Sequence, residues 1–168
     1  IEKKNNSCVT IGTLGVGGVL SLRTDNTTPD QSFIARILQM AKLKGADYAL
    51  LEVSSHSIVQ QRIKNLEFNV FCFTNLSQDH LDYHKDMETY FHAKLSILDM
   101  LSLDTNIIVN IDDEYGKIFL AIAKDKGFKT ETIGFSDTAD VKLRITRGTP
   151  EIQSIEIIRG KFFYTFQT

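Results

Sequence analysis

The amino-acid sequence predicts an α/β protein: a mainly parallel sheet flanked by helices, followed by a small C-terminal antiparallel β unit. Three observations carry this expectation. Strand-like apolar runs alternate with helix-like patterns from Cys8 to about Lys126. The runs are short and nearly continuous in apolar residues, as in parallel strands covered on both faces. From Val141 onward, strand-like segments follow one another with no helix between them. A single partial domain is expected over 1–168, with the parallel core in 1–136 and the antiparallel subdomain in 137–168.

Cys8 to Thr13 reads as the first buried strand, and a glycine-rich segment, Gly12 to Gly18, follows as a flexible connection or lid. Asp30 is placed to cap a helix over Gln31 to Lys44. Its Ile34, Ile37, Leu38 and Ala41 recur at helical spacing, and Gly45 ends it. Tyr48 to Leu51 is the next buried strand, with Glu52 at its C-terminal end. A short helix is expected over Ile58 to Lys64. Val70 to Thr74 forms the third strand, Met87 to Leu101 a helix, and Asn106 to Ile111 the fourth strand. Asp112 or Asp113 then caps a helix to about Lys126. Val141 to Thr146, Ile152 to Ile158 and Lys161 to Gln167 are the closing strands, the last two joined by a tight turn at Arg159-Gly160.

The chain has 168 residues, a formal net charge of −2 and no basic block, which argues against nucleic-acid binding. No apolar run approaches the roughly 20 residues that span a bilayer, and the N-terminus lacks a signal-peptide core. The first residue is Ile1 rather than Met, as expected of a processed or excised piece. Cys8 and Cys72 have no CxxC spacing, so buried reduced thiols in a cytoplasmic protein are expected.

The densest group of chemically active side chains follows the third strand. Asp79, His80, Asp82, His84 and Asp86 lie close together, and three of the four histidines fall between His80 and His92. Ligands and catalytic groups gather where α/β strands end. The structural alternative is a solvated loop that caps the next helix. Glu52-Val53-Ser54-Ser55-His56 also begins at a strand end. A carboxylate followed by hydroxyls suits Mg²⁺, which favours oxygen ligands; alternatively Ser54 or Ser55 merely caps a helix, and both roles are compatible. Arg62 has the fork to grip a phosphate, or is a surface arginine. Lys94, mid-helix beside Phe91 and Leu95, reads by position alone as a snorkelling lysine. The glycine-rich segment fails as a phosphate loop: after Gly12 and Gly17 the lysine position holds Gly18. His80 and His84 have zinc-compatible spacing but lack the glutamate of H-E-x-x-H, so a zinc hydrolase is the weaker reading.

Taken in order, these residues resemble the central domain of the Mur ligases, with the tripeptide-synthetase branch nearest. The resemblance rests on Leu51-Glu52-Val53-Ser54-Ser55-His56, then Gln60-x-Arg62, then Thr74-Asn75-Leu76-Ser77-x-Asp79-His80-Leu81-Asp82-Tyr83-His84. Tyr90-x-x-Ala93-Lys94, Asn26-Thr27-Thr28-Pro29 and Asn110-x-Asp112-Asp113-Glu114 fit the same pattern. It covers Gly12 to about Glu114; beyond Thr138 it rests on position. Ser57 stands where the family often has glycine or alanine, which would add a hydroxyl beside the substrate loop.

The resemblance implies an ATP-dependent, ADP-forming ligase of peptidoglycan precursor synthesis. It would add the third residue to UDP-MurNAc-L-Ala-D-Glu through an acyl phosphate. By the same resemblance Glu52 and His80 are magnesium ligands, and Asn26, Thr27, Thr28, Ser54, Gln60 and Arg62 hold the UDP-sugar-peptide. Lys94 becomes the lysine that is carbamylated, reversing the surface reading; the reaction with CO₂ needs a neutral amine, which burial favours. As a carbamate it would join the metal ligands. The cofactor is Mg²⁺, with ATP as co-substrate. The partners are UDP-MurNAc-dipeptide and an amino acid, with no nucleic acid and no membrane. The family's G-T-N-G-K-T-T phosphate loop and first strand do not occur in the sequence. The chain is therefore expected to be a central-domain piece without the N- and C-terminal domains, inactive alone. Three alternatives stand beside this: another Mur ligase or folylpolyglutamate synthetase core, a non-catalytic UDP-sugar-peptide binding module, and the zinc hydrolase.

Overall fold

The computed structural model describes residues 7–76, 85–148 and 153–167. Its contacts divide the chain into two compact units: Ile1–Leu66 with His92–Met100, and Glu67–Phe91 with Leu101–Thr168.

In the first unit, β1 (Cys8–Gly12), β2 (Gly15–Gly18) and β3 (Tyr48–Leu51) form a three-stranded sheet in the order β2-β1-β3. β1 and β3 are parallel, with Cys8 opposite Tyr48 and Ile11 opposite Leu51. β1 and β2 are an antiparallel hairpin, Gly12 opposite Gly15. The glycine-rich segment is thus ordered sheet, not the flexible connection expected from composition. Close backbone approach is the reason. A Cβ on Gly18 (φ +84°) would lie 2.1 Å from the Cys8 carbonyl oxygen, and one on Gly15 (φ +92°) 2.5 Å from that of Leu22. Only glycine fits both the space and the left-handed backbone.

Helix α1 (Gln31–Leu43) matches its pattern closely. The Asp30 carboxylate accepts from the Phe33 N–H at 2.9 Å. Ile34, Ile37 and Ala41 are buried against Val9, Ile11, Val16 and Leu20. β3 departs from expectation: it is the outer strand of its sheet, and Tyr48 and Leu50 are 49% and 45% exposed. α2 spans Ser55–Val59, not Ile58 to Lys64. Gln61 (φ 55°) adopts left-handed backbone, which the interior of an α-helix excludes.

In the second unit, β4 (Val70–Phe73), β5 (Asn106–Asn110), β6 (Lys129–Gly134), β7 (Val141–Gly148), β8 (Gln153–Arg159) and β9 (Phe162–Gln167) form one six-stranded sheet in sequential order. β4 to β7 are parallel; β7, β8 and β9 are antiparallel. The expected α/β architecture with a closing antiparallel unit is present. β6 has no strong apolar signal, because its sequence is KTETIG. Its buried Thr132 is satisfied by Asp140 instead: the carboxylate accepts from the Thr132 N–H at 2.9 Å and hydroxyl at 2.7 Å. The last turn is Gly160-Lys161, one residue later than expected, since Arg159 still pairs with Phe162.

Helix α3 (Met87–Leu95) passes into a 3-10 turn at Ser96–Asp99, ending the regular helix before Leu101. Asp113, not Asp112, caps α4 (Glu114–Asp125), accepting from the Gly116 N–H at 2.6 Å. Asp112 accepts from the Phe135 N–H at 2.8 Å. Phe119 of α4 is fully buried and stacks on Phe73 at 4.5 Å and Phe71 at 6.1 Å. Both cysteines are free, but Cys72, expected to be buried, is exposed, and Cys8 is half-buried. Among the described residues no helix is long and apolar enough to cross a membrane.

Two stability tests follow from this packing. Phe119→Ala should cost about 3–5 kcal/mol and Asp113→Ala about 1 kcal/mol in urea denaturation. A smaller loss for Phe119→Ala than for Asp113→Ala contradicts the core placement. The Thr132 bonds also hold the Asp140 carboxyl below its ordinary value of 3.8. A lowered folded value means the stabilisation is complete above pH 3.8 and disappears as pH falls through that folded value. Asp140→Asn should therefore lower the thermal midpoint at neutral pH, and the gap from wild type should narrow in acid. A pH-independent gap counts against the linkage.

Candidate functional site

Asn26, Thr27, Thr28, Glu52, Ser54, Gln60, Arg62 and Lys94, all singled out by sequence, fall in the first unit. Parallel pairing runs one residue beyond the strands, the Glu52 N–H donating to the Ile11 carbonyl at 2.8 Å. This brings Glu52 to the turn after β1. Its side chain is exposed, yet it is held. The Thr13 N–H donates to Glu52 Oε2 at 2.8 Å, and the Thr13 hydroxyl lies 3.1 and 3.0 Å from Oε1 and Oε2. Thr13 Oγ1 is also 3.2 Å from Thr27 Oγ1.

Thr28 organises the other side of Glu52. It is fully buried, and its hydroxyl donates to the Glu52 carbonyl at 2.8 Å while accepting from the Ser54 N–H at 3.0 Å. It lies 3.3 Å from Ser54 Oγ. A hydroxyl has a single proton, so the shorter bond to the carbonyl takes precedence. The Thr28 carbonyl accepts from Arg62 Nη1 at 2.7 Å. Thr28 thus joins the 26–29 loop, the end of β3 and the segment after α2.

Ser54 is the N-cap of α2, its hydroxyl accepting from the Ser57 N–H at 3.3 Å. The Ser57 hydroxyl, expected beside the substrate loop, is buried and donates to the Ser54 carbonyl at 2.6 Å. It is a local clasp, not a surface group. Asn26 is exposed and Thr27 half-buried on their loop; Gln60 is exposed at the C-cap of α2. Arg62 commits one of its several N–H donors to Thr28 and is half-buried. Lys94 is half-buried near the end of α3. His80, with Asp79, Asp82 and His84, lies outside the described residues.

Glu52, Thr13, Thr27, Thr28, Ser54 and Arg62 therefore converge. Oxygen donors dominate this group, as a hard cation and a polar substrate require. Among the described residues, no group of three or more His, Cys, Asp or Glu side chains is arranged to hold a metal. The donor set still fits Mg²⁺, which often takes one or two carboxylates and keeps its waters: Glu52 is exposed, and its oxygens have acceptor capacity beyond the Thr13 bonds. Thr13 is the participant that sequence reasoning missed. Its signal was its place beside Gly12, opposite the end of β3, and that becomes visible only once the β1–β3 register is known.

The described fold and this group match known proteins. The model of the Mur ligase middle domain matches residues 2–166. Proteins named UDP-N-acetylmuramoyl-L-alanyl-D-glutamate--2,6-diaminopimelate ligase are similar in sequence. That of Buchnera aphidicola subsp. Acyrthosiphon pisum is 46% identical over 66% of this chain and 22% of its own length. That of Caldanaerobacter subterraneus subsp. tengcongensis is 34% identical over 84% of this chain and 28% of its own. The chain thus spans about a quarter of the length of these curated relatives. A solved structure of a ligase with the same name superimposes with a TM-score of 0.81 at 25% identity, covering 98% of this chain and 34% of that one. The MurF ligase of Thermotoga maritima, solved with ADP, shares the fold at a TM-score of 0.65 and 15% identity, over 98% and 35% of the two chains. On a family match that spans nearly the whole sequence, with fold and similarity in agreement, this chain belongs to the Mur ligase middle-domain family.

Proposed function

We propose that this chain is the middle domain of an ATP-dependent, ADP-forming ligase of peptidoglycan precursor synthesis, which joins an amino acid to UDP-MurNAc-L-Ala-D-Glu through an acyl phosphate. The observation that carries the reading is the Glu52 carboxylate, held at a parallel strand end beside Thr27, Thr28, Ser54 and Arg62. The names of the sequence relatives support the substrate class. They make 2,6-diaminopimelate the first amino acid to assay, with lysine as the comparison.

In this reading Glu52 is a magnesium ligand, with His80 and a carbamylated Lys94 as further ligands. When bound, magnesium neutralises the charge that develops during phosphoryl transfer. The chain's own residues supply placement. Thr28 fixes the loop that carries Asn26 and Thr27, so these groups are preorganised for the UDP-sugar-peptide. Ser54, Gln60 and Arg62 flank α2 and face the same substrate, Arg62 using N–H groups beyond the one bonded to Thr28. The site works in the cytoplasm, where UDP-sugars and ATP are found. Most of the relatives' own length lies outside the stretch that this chain matches.

ADP release with UDP-MurNAc-dipeptide, ATP and each amino acid tests the reading in the complete ligase. Amino-acid-dependent ADP formation is expected; saturable dipeptide binding without any turnover favours the binding-module alternative. Lys94→Ala should lose most activity, on the order of 100-fold, and regain part of it with acetate, which replaces the carbamate oxygens. Full activity in Lys94→Ala removes that residue from the site. Thr28→Val leaves the Ser54 N–H without its acceptor and should raise the KM for the UDP-sugar-dipeptide more than it lowers kcat. An unchanged KM argues against the loop's role.

A further inference from the structure

We propose that Thr13 is the positioning residue for the Glu52 carboxylate and, through the same hydroxyl, fixes the direction of the Thr27 hydrogen bond beside it. The inference rests on the reading of Glu52 as a magnesium ligand and deepens it.

An exposed glutamate ordinarily samples several rotamers, and ordering one costs conformational entropy. Glu52 is exposed but does not need to search. The Thr13 N–H, fixed by the β1–β2 hairpin, donates to Oε2 at 2.8 Å, and the hydroxyl spans both oxygens at 3.0–3.1 Å. The carboxylate also lies close over Gly12: a Cβ there would be 2.6 Å from Oε2 and 3.2 Å from the Glu52 Cβ. Gly12 and Thr13 therefore form a seat, one by leaving space and the other by donating two hydrogen bonds. The remaining acceptor positions of the carboxylate are the ones left for a cation.

The proton count extends this to Thr27. Thr13 Oγ1 has one proton, and a carboxylate is the stronger acceptor. At 3.2 Å from Thr13, Thr27 then donates its own proton and presents only lone pairs elsewhere. One threonine thus orders a metal ligand and a substrate-loop hydroxyl together. Groups that orient a metal ligand typically change metal affinity by about 10–100-fold when removed.

The test is Mn²⁺ binding to the full-length protein without ATP, read by electron paramagnetic resonance, with thermal midpoints for every variant. Thr13→Val removes the hydroxyl and should weaken Mn²⁺ binding about 10-fold, whereas Thr13→Ser should bind as wild type does. Gly12→Ala, with the hydroxyl intact, should displace the carboxylate and weaken binding too; it decides the question if Thr13→Val does not fold. Folded Thr13→Val with wild-type affinity, or Thr13→Ser as weak as Thr13→Val, overturns the inference, as does wild-type affinity in Gly12→Ala where that variant alone decides. Glu52→Gln separates the two levels. If it binds Mn²⁺ as well as wild type, or if wild type shows no saturable binding, the magnesium reading itself fails.

Discussion

The parallel pairing of β1 with β3 is the constraint from which the candidate site follows. With Ile11 opposite Leu51, the Glu52 N–H reaches back to the Ile11 carbonyl and the carboxylate meets the turn at Thr13. A slip of one residue would turn Glu52 to the other face of the sheet. The same slip would turn Leu51, which now packs against the core under α1, away from it, so the register that packs the core also aims the acid. Packing of Leu51 and the hydrogen bonds of Thr13 and Thr28 to Glu52 secure this placement together.

The polar groups around Glu52 show how a site can sit beside a core without destabilising it. Buried hydroxyls are costly when unpaired. Thr28 and Ser57 are fully buried, yet each donates to a main-chain carbonyl within hydrogen-bond distance. The Thr28 bonds tie together segments that the backbone alone would leave independent, and the Ser57 bond closes the first turn of α2. Arg62 adds a charged donor to the same carbonyl-rich junction. The outer part of the group, Thr13 and Thr27 with the Glu52 carboxylate, stays accessible to a ligand.

Much of this was legible in the sequence because local rules and tertiary structure agreed. Asp30 followed by Ile34, Ile37 and Ala41 gave a cap and an apolar face, and both are present. Glu52 was legible because it ends an apolar run. Elsewhere tertiary contacts decided. β6 was hidden because Thr132 is buried by hydrogen bonds to Asp140, not by apolar character. The glycines after β1 looked like a loop because close strand approach and flexibility call for the same residue. Gln61 carries no sequence mark for left-handed backbone, so α2 was expected in the wrong place. Thr13 was invisible for the simplest reason: its partner is 39 residues away.

The joint between β6 and β7 has its own consequence. β5 pairs with β6 along its whole length, but β7 meets β6 only at Ile133–Val141 and Gly134–Lys142 before turning to β8. The reciprocal bonds between Thr132 and Asp140 fasten that short seam. Cooperative opening follows the extent of pairing, so the three closing strands are expected to open as a unit of their own, their amide hydrogens exchanging through local opening while those of β4 and β5 wait for the whole sheet to unfold.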